Sequence, residues 1–243
     1  MEIKCFFIPV EIPPDFNLSQ YTVVVIDVLR ATSVMAAAMY NGCIGVIPVA
    51  SIEEALSIKN KIKNDVLLCG ERDAVKIDGF DLGNSPQEFS KKVVSNKTIV
   101  HTTTNGTNAI KKVIDAEEVL TGSFLNLKST VEYLKNKDKI LLLGSGRLGE
   151  FSLEDTLCIG NIINELRKVI PIKEFDISDS SKTAEVLYER YRKKLTSVVL
   201  QSIHGKYLVS KGMKSDIRMC LNKNTHDCLI ILDKKTGMLK KAK

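Results

Sequence analysis

The sequence has no apolar run of the roughly 20 residues that are needed to cross a membrane. The apolar patch at its N-terminus is short and is soon followed by prolines, which does not fit a secretory signal. The six cysteines contain no C-x-x-C pair, and most of them fall in predicted strands or helices. We therefore expect reduced, buried thiols rather than disulfides or zinc ligands, and a cytoplasmic protein with no membrane partner.

Several other kinds of site are also missing. There is no G-x-S-x-G sequence, so a hydrolase with a serine at a nucleophile elbow has no support. His101 and His204 have no partner at metal-ligand spacing, and we interpret each as a structural histidine.

The net charge of +6 is concentrated in residues 201–243, which hold ten Lys or Arg against three Asp or Glu. Because the end of this segment lacks interleaved aromatics, we interpret residues 234–243 as a solvated basic tail and expect no nucleic-acid partner.

Strand-like and helix-like patterns alternate along the 243 residues, whose composition is that of an ordinary globular protein. This alternation predicts an α/β fold with three α/β/α layers and a largely parallel or mixed sheet that carries helices on both faces. We predict one domain over residues 1–243, with two subdomains as an open alternative. The predicted strands are 23–26, 44–49, 66–69, 98–101, 118–121, 139–143 and 229–232. The predicted helices are 33–40, 51–63, one that starts at Ser85, one that ends near Ile114, 126–136, 152–169 and 180–212.

Polar loops recur after the predicted strands, at residues 27–32, 70–85, 101–107 and 144–155. In open α/β sheets, ligands bind at the carboxyl ends of the strands. We therefore expect the four loops to converge on one crevice.

The longest of these loops follows the predicted strand 66–69 and has about 15 residues without apolar periodicity. A loop of this length inside a compact domain is usually a binding or catalytic loop. Its acidic and basic side chains could hold a cation and an anion together, or could form structural ion pairs. The candidates are Glu71, Arg72 and Asp81 for catalysis, and Arg72, Asn84 and Ser85 for substrate binding.

Asp27 stands at the end of the buried apolar run 23–26, where a carboxylate is costly unless it is compensated. Arg30, a magnesium ion or both would compensate it, with a helix cap or a structural ion pair as the alternative. Asp81 and Asn84 offer further hard oxygen ligands of the kind that Mg²⁺ prefers. The candidate metal ligands are Asp27, Asp81, Glu154 and Asp155, and Asp27 and Arg30 are also candidate catalytic residues.

The segment 102–107, TTTNGT, lies between a predicted strand and a predicted helix. Hydroxyl groups, an amide and glycine-eased backbone N–H groups at such a place favour an anion such as phosphate or sulfonate. An ordinary helix cap is the alternative, but it would explain one such residue and not five in a row. The candidate substrate-binding residues here are Thr103, Thr104, Asn105, Gly106 and Thr107.

The turn Gly144–Gly149 fits G-x-G-x-x-G after a strand, the pattern of dinucleotide-binding proteins. Three features do not fit that pattern. The strand before the turn comes late in the chain, and the next helix begins only at Ser152. That helix opens with Glu154 and Asp155, which would repel a pyrophosphate. These two acids are interpreted either as first-turn residues favoured by the helix dipole or as metal ligands or a general base. Arg147 is a further candidate for substrate binding.

Four segments resemble the 2-phosphosulfolactate phosphatase family: VVVIDVLRATS, LLCGERDAVKIDGFDLGNSP, TTTNGT and GSGRLGEFSLED. The match runs in order over residues 20–165, with a weaker echo at His204, Gly205 and Asp216. The string from Gly79 to Pro86 is its most specific part. The resemblance implies an α/β/α domain and Mg²⁺-dependent hydrolysis of a phosphate monoester to 3-sulfolactate on the coenzyme M pathway.

The residues and the resemblance agree on a mechanism. Mg²⁺ held by Asp27, Asp81 or the pair of Glu154 and Asp155 would bridge a phosphate oxygen and activate water. Arg30 and Arg72 would clamp the oxyanions of the substrate, because a guanidinium fork matches their geometry. An aspartyl-phosphate on Asp27 is the alternative. Haloacid-dehalogenase phosphatases use one, but their second aspartate corresponds here to Leu29.

We therefore predict a phosphatase that acts on 2-phosphosulfolactate or a similar small phosphorylated hydroxy acid. Phosphate, carboxylate and sulfonate look alike to an arginine, so the sequence does not identify the substrate. Two alternatives of other classes remain open. They are an NAD(P)-dependent oxidoreductase built on Gly144–Gly149, and a non-catalytic protein that binds small anions. A homodimer is our hypothesis for the oligomeric state.

Overall fold

A computed structural model of the chain describes residues 1–62, 65–171 and 175–242. Within these ranges the strands are β1 (Glu2–Phe6), β2 (Thr22–Ile26), β3 (Gly45–Val49), β4 (Val66–Arg72), β5 (Val75–Lys76), β6 (Thr98–Thr102), β7 (Glu118–Gly122), β8 (Lys139–Gly144), β9 (Asp176–Ile177), β10 (Ile230–Asp233) and β11 (Met238–Lys241). The α-helices are α1 (Ala31–Tyr40), α2 (Ile52–Lys61), α3 (Lys91–Val94), α4 (Gly106–Lys112), α5 (Leu127–Leu134), α6 (Leu153–Val169), α7 (Asp179–Tyr191), α8 (Leu195–Gln201), α9 (Ile203–Ser210) and α10 (Lys214–Cys220). None of the described helices is both long and apolar enough to span a membrane.

These strands form one mixed sheet in the order β5-β4-β6-β3-β11-β10-β7-β2-β8-β1-β9. Strands β4, β6 and β3 run parallel to one another, and so do β7, β2, β8, β1 and β9. The hairpin of β10 and β11 joins the two groups through antiparallel pairing with β7 and β3. The sheet stays open, and the predicted α/β class with a largely parallel or mixed sheet is confirmed.

The two parallel groups meet at one site although the hairpin reverses their relative direction. If the sheet were flat, the antiparallel hairpin would place the carboxyl ends of β2 and β6 at opposite edges. Neighbouring strands twist by about 20–25°, so the five steps from β6 to β2 turn the strand direction by roughly 100–125°. The loops that follow β2 and β6 can therefore meet, and Asp27 and Thr103 line the same cavity.

Helices lie on both faces of the sheet. In β2, Val24 and Ile26 pack into a core that includes helices α6 and α7, whereas Val23 and Val25 pack into a second core with α1 and α4. Both faces of this strand are buried, which explains its continuous apolar sequence. A smaller core joins Ala55 of α2 to β4 and β6. The expected layering of helices on both sides of the sheet is confirmed.

Local signals marked several element boundaries, with two exceptions. Ser51 accepts a hydrogen bond from the backbone N–H of Glu54, so the predicted cap of α2 is present. The helix ends at Lys61, and the predicted end at Lys63 lies outside the described residues. The helix predicted to start at Ser85 does begin there, with the Ser85 N–H donating to Glu88 Oε1 at 3.2 Å, but it is only the 3₁₀ turn Pro86–Glu88. Residues 180–212 form parts of three helices rather than one.

The C-terminal segment also departs from the sequence interpretation. Residues 238–241 are not a solvated tail, since β11 pairs with β10 and β3 inside the sheet and Leu239 is fully buried. Lys240 forms an ion pair with Asp233 across the hairpin, so a basic residue is accommodated at the solvent side of a strand. Strand β1 was also missed, although its buried and less buried residues alternate along Glu2–Phe6 as in a typical strand.

Candidate active site

A cavity of about 60 Å³ opens where the loops after β2, β4, β6 and β8 meet helix α9. We call these four loops the floor of the cavity, and helices α8, α9 and α10 its roof. The expected convergence of the four loops is therefore present in the structure. The predicted site residues that line the cavity are Asp27, Arg30, Glu71, Asn84, Thr103, Thr104, Asn105 and Arg147.

Asp27 is a buried carboxylate that the backbone holds in place. Its Oδ1 accepts a hydrogen bond from the Ala31 N–H at 3.2 Å, and its own N–H donates to Thr32 Oγ1 at 3.1 Å. Burial raises the pKa of Asp27 to about 6, while the nearby His204 and the Ala31 N–H act in the opposite direction. A carboxylate in this position is stabilised by any positive charge that binds in the cavity.

Gly106 leaves the space that Asp27 occupies. A Cβ atom at position 106 would lie 2.6 Å from Asp27 Oδ2 and 2.6 Å from the Cβ of Ala31. Any side chain at this position would therefore displace the carboxylate or helix α1. Gly106 does not line the cavity, so the structure places this predicted substrate-binding residue behind Asp27.

Asp155 lies beside Asp27 but outside the cavity lining. Its Oδ1 accepts from the Val28 N–H at 2.8 Å, and its Oδ2 accepts from Ser145 Oγ at 3.2 Å. Burial raises the pKa of Asp155 well above its usual value, and the charges of Asp27 and Glu154 raise it further. The predicted metal ligand Asp155 therefore supports the Asp27 loop from behind.

Glu71 is the second buried carboxylate of the floor. Its Oε2 accepts from the Ala74 N–H at 2.9 Å, and its Oε1 accepts from the N–H and the hydroxyl of Thr104 at 3.1 and 3.2 Å. These bonds tie the loop after β4 to the loop after β6, so one carboxylate fixes two walls of the cavity. Because each carboxylate oxygen has two lone pairs, Glu71 keeps the capacity to bind a further donor or a cation.

Arg30 is bound to the roof rather than to Asp27. Its guanidinium donates to Asp216 Oδ2 at 2.6 Å, and only 3% of each side chain is exposed. Asp216 Oδ1 accepts from Ser85 Oγ and from Gln87 Nε2, each at 2.7 Å. No ion pair between Arg30 and Asp27 is present among the described residues, so the expected compensation of Asp27 by Arg30 is not found. The peptide bond that precedes Arg30 is cis.

The threonine loop makes many of its hydrogen bonds within the protein. The Thr107 N–H donates to Thr103 Oγ1 at 3.2 Å, and Thr107 Oγ1 donates to the Thr103 carbonyl at 3.0 Å. Asn105 Oδ1 accepts from the Leu148 N–H at 3.0 Å and so joins this loop to the turn after β8. Thr107 does not line the cavity. The anion-binding role of the loop stays a prediction.

The backbone geometry of the turn after β8 requires its three glycines. A Cβ at Gly144 would lie 2.5 Å from the Phe7 carbonyl oxygen, and Gly146 and Gly149 have φ angles of +66° and +80°. These positions need glycine whether or not a dinucleotide binds. The turn places Arg147 in the cavity wall, where its guanidinium lies 4.9 Å from the centre of the Tyr207 ring. No carboxylate forms an ion pair with Arg147 within the described ranges.

Asn84 reaches the cavity from the end of the long loop, where His101 fixes its orientation. Burial lowers the pKa of His101 to about 4, so the imidazole is neutral near pH 7. Its Nε2 lies 3.0 Å from Asn84 Oδ1, which assigns the donor hydrogen to Nε2. The amide nitrogen of Asn84 is then free to donate to a ligand. His101 therefore orients the side-chain amide of Asn84.

Other predicted residues of the long loop lie elsewhere. Asp81 accepts from the Leu68 N–H at 2.8 Å and lies 3.3 Å from Lys59 of α2, outside the cavity and on the outer side of β4. Arg72 donates to the Glu71 carbonyl and to Thr102 Oγ1, and it does not line the cavity. The structure therefore does not bring Asp81 or Arg72 to Asp27.

Several cavity residues were missed in the sequence. His204, Tyr207 and Leu208 come from helix α9, and Asp73 comes from the long loop. His204 Nδ1 lies 2.7 Å from Glu154 Oε1, so the predicted metal ligand Glu154 pairs with a histidine. The only signal in the sequence was the weak family echo at His204 and Asp216, because no local pattern indicates where a C-terminal helix will pack.

The donor set of the cavity fits a hard divalent cation. Within the described ranges, no group of three or more His, Cys, Asp or Glu side chains is arranged to hold a metal ion. Mg²⁺ needs only one or two carboxylates, because water and substrate oxygens complete its shell. Asp27 and Glu71 both line the cavity, and burial raises the pKa of Asp27 to about 6. A cation beside these oxygens would favour the charged form of the buried carboxylate.

Comparisons with known proteins identify the family of this chain. The family model described as 2-phosphosulpholactate phosphatase matches residues 6–235. A probable 2-phosphosulfolactate phosphatase from Thermotoga maritima is 50% identical over 199 residues, which are 82% of this chain and 83% of the relative. A protein of the same name from Caldanaerobacter subterraneus is 41% identical over 229 residues, 93% of this chain and 92% of the relative. The resemblance read from the sequence is confirmed, and the chain belongs to the 2-phosphosulfolactate phosphatase family.

Proposed function

We propose that this chain is a Mg²⁺-dependent phosphatase that hydrolyses 2-phosphosulfolactate, or a closely similar phosphorylated hydroxy acid, to 3-sulfolactate and phosphate. Family membership supports the reaction class. The observation that carries the proposal is the meeting of buried carboxylates, an amide donor and an arginine that has no ion-pair partner among the described residues in one small cavity. These are the groups that a metal-assisted reaction of a small polyanion needs.

The charges of the cavity explain why a cation belongs in the proposal. Three carboxylates line it, those of Asp27, Glu71 and Asp73. Of the two guanidiniums, that of Arg30 is already neutralised by Asp216. A phosphate ester would bring further negative charge into this acidic site. Binding would therefore be unfavourable without a cation between the carboxylates and the substrate.

Asp27 and Glu71 are the residues that would hold Mg²⁺ in this proposal, with Asp155 behind Asp27. The bound ion would neutralise phosphate charge and activate water. Arg147 would bind one acidic end of the substrate, since its guanidinium is the cavity cation without an ion-pair partner in the described chain. Asn84 would donate its amide N–H to a substrate oxygen. These contacts would align the phosphorus for attack by water.

The test is a panel of small phosphate esters with released phosphate as the readout. We expect 2-phosphosulfolactate to be the best substrate and activity to be lost in EDTA and restored by added Mg²⁺. If the purified protein binds Mg²⁺ but releases no phosphate from any ester, the proposal is wrong and the non-catalytic alternative is favoured. Activity that survives complete removal of metal would contradict the magnesium part alone.

Acid-quench trapping separates the two routes of attack. We favour direct attack by water, so we expect no phosphorylated protein when the reaction is stopped in acid. A phosphoprotein that disappears in the Asp27→Asn variant would instead establish an aspartyl-phosphate. The cytoplasmic location and the homodimer stay predictions.

A further inference from the structure

The pair of Glu154 and His204 has no role in the metal binding and substrate binding proposed above. Glu154 stands in the first turn of α6 and is 1% exposed, and His204 stands in the first turn of α9. The imidazole Nδ1 lies 2.7 Å from Glu154 Oε1, and Ser202 Oγ approaches the other carboxylate oxygen at 3.5 Å. A buried carboxylate that accepts from Nδ1–H fixes the tautomer and the orientation of the ring.

The second ring nitrogen of His204 is free for chemistry. His204 lines the cavity, and 16% of its side chain is exposed. Within the described part of the chain, its Nε2 has no hydrogen-bond partner. A histidine that lines a reaction cavity, is held at Nδ1 by a buried acid and keeps Nε2 unbonded has the arrangement of a general acid or base.

We propose that His204 is the general acid that protonates the leaving group, and that Glu154 is its positioning residue; this inference rests on the proposed phosphatase function. Water oxygen forms a bond to phosphorus while the bond from phosphorus to the ester oxygen breaks. The electron pair of the broken bond stays on the ester oxygen, which takes the proton from His204 Nε2 and leaves as an alcohol. The neutral imidazole then regains the proton that the attacking water has released to solvent.

The other groups around the cavity are less suited to this role. The Tyr207 hydroxyl donates to the Asp73 carbonyl at 2.9 Å. Arg147 does not release a proton in proteins. Asp27 and Glu71 face the proposed cation. Protonation matters for this substrate class, because the alkoxide of a hydroxy acid is a poor leaving group and a positioned acid contributes about 10²–10⁴-fold.

The experiment compares esters whose leaving groups differ in acidity. The panel runs from 2-phosphosulfolactate and phosphoglycolate, which leave as alkoxides, to phenyl phosphate, 4-nitrophenyl phosphate and acetyl phosphate, whose leaving groups need little or no protonation. The variants are His204→Gln and Glu154→Gln. The matched control is His226→Gln, because His226 is also largely buried and bonded at Nδ1 but lies away from the cavity.

We expect His204→Gln to lower kcat/KM for the alkyl esters by about 10²–10⁴-fold. The same variant should lower it by less than about 10-fold for the esters with acidic leaving groups, so its rates should depend more steeply on leaving-group pKa than those of the wild type. Glu154→Gln should also lower kcat/KM more for the alkyl esters than for the esters with acidic leaving groups, with a loss of roughly 10-fold on the alkyl esters. A merely structural role would not produce this difference between the two classes of ester. His226→Gln should behave like the wild type.

Equal losses on both classes of ester, or no loss on either, would overturn the assignment of His204. Circular dichroism and melting curves check that each variant folds, and Glu154→Gln gives an independent result if His204→Gln does not. A wild-type protein that releases no phosphate at all would instead defeat the proposed function. The two failures are therefore distinguishable.

Discussion

The floor and the roof of the cavity are held in place by different kinds of interaction. In the floor, Asp27 follows β2 and Glu71 lies near the end of β4, and both accept hydrogen bonds from backbone N–H groups within a few residues. In the roof, His204 and Asp216 stand on short helices and are held by side chains that are distant in sequence, Glu154 and Arg30. The floor carboxylates therefore accept local backbone hydrogen bonds, whereas the polar residues of the roof are held by long-range side-chain pairs in addition to the packing of Leu208 and Ile217 in the core.

This difference predicts where single substitutions act. A change to one side-chain pair should loosen the roof while the sheet stays intact, because the buried pair of Arg30 and Asp216 joins α10 to the loop after β2. A change in the floor should move the reacting groups directly.

The substitution Asp216→Ala should loosen the roof. It leaves the buried guanidinium of Arg30 without its partner, and breaking a buried ion pair in this way costs about 3–5 kcal/mol. Denaturant unfolding measures the loss in the free energy of unfolding. The control is Glu132→Ala, which removes an exposed pair with Lys135 and should not measurably shift the midpoint. Equal effects of the two variants would contradict the assigned role of the Arg30–Asp216 pair.

The substitution Gly106→Ala should disturb the floor. Its added Cβ would lie 2.6 Å from Asp27 Oδ2, so the carboxylate must move. A misplacement of about 1 Å at a reacting group costs about 100-fold in rate, and we expect a loss of kcat/KM of that order. The control is Lys112→Ala, which changes an exposed residue of the same helix. Normal activity of Gly106→Ala would show that the position of Asp27 is not critical.

Arg147 lies between the two regions, on a floor loop and against Tyr207 of the roof. We expect Arg147→Gln to raise KM by about 10- to 100-fold with a smaller change in kcat, because it removes a contact made in both the bound substrate and the transition state. The KM of Arg147→Lys should lie between those of the wild type and Arg147→Gln, since an ammonium lacks the bidentate fork of a guanidinium. Steady-state kinetics on 2-phosphosulfolactate and on 2-phospholactate, which lacks the sulfonate, measure this. An unchanged KM in both variants would remove Arg147 from substrate binding.

The pH dependence of stability gives a smaller test of the floor. Burial raises the pKa of Asp27 from 3.8 to about 6 in the folded protein. Between these values the folded state holds a proton that the unfolded state has lost, so the free energy of unfolding of metal-free protein should fall as pH rises through this window. Asp27→Asn should flatten this dependence. Melting curves in EDTA between about pH 4 and pH 7 measure it, and identical profiles of variant and wild type would contradict the buried environment of Asp27.

The sequence predicted the floor well, because its signals are local. A buried β-branched run that ends in Asp27, and a threonine-rich segment between strand and helix, both depend on residues close together in the chain. Strand ends of an α/β sheet meet at a ligand site, so the convergence of these loops followed from the fold class. The hairpin that reverses one half of the sheet was not predicted, since the lysines around Leu239 resembled a solvated tail.

The roof could not be predicted in the same way. His204 and Asp216 are single residues on helices, and only tertiary packing brings them to Glu154 and Arg30. The position of Asp81 was also not predictable from the sequence. It resembled Asp27 in the sequence as a loop carboxylate after a strand, but its side chain turns to Lys59 on the outer side of β4. Local chemistry does not reveal which side of a strand a loop residue will face.

The contrast between these two aspartates gives the most direct test of the account. The measurement is kcat/KM for 2-phosphosulfolactate with saturating Mg²⁺ in the variants Asp27→Asn and Asp81→Asn. We expect Asp27→Asn to lose about 10³-fold or more, because it removes a carboxylate beside the reacting phosphate, and Asp81→Asn to stay within about 3-fold of the wild type. A loss in Asp81→Asn as large as in Asp27→Asn, or near-normal turnover in Asp27→Asn, would contradict the cavity as the site of reaction.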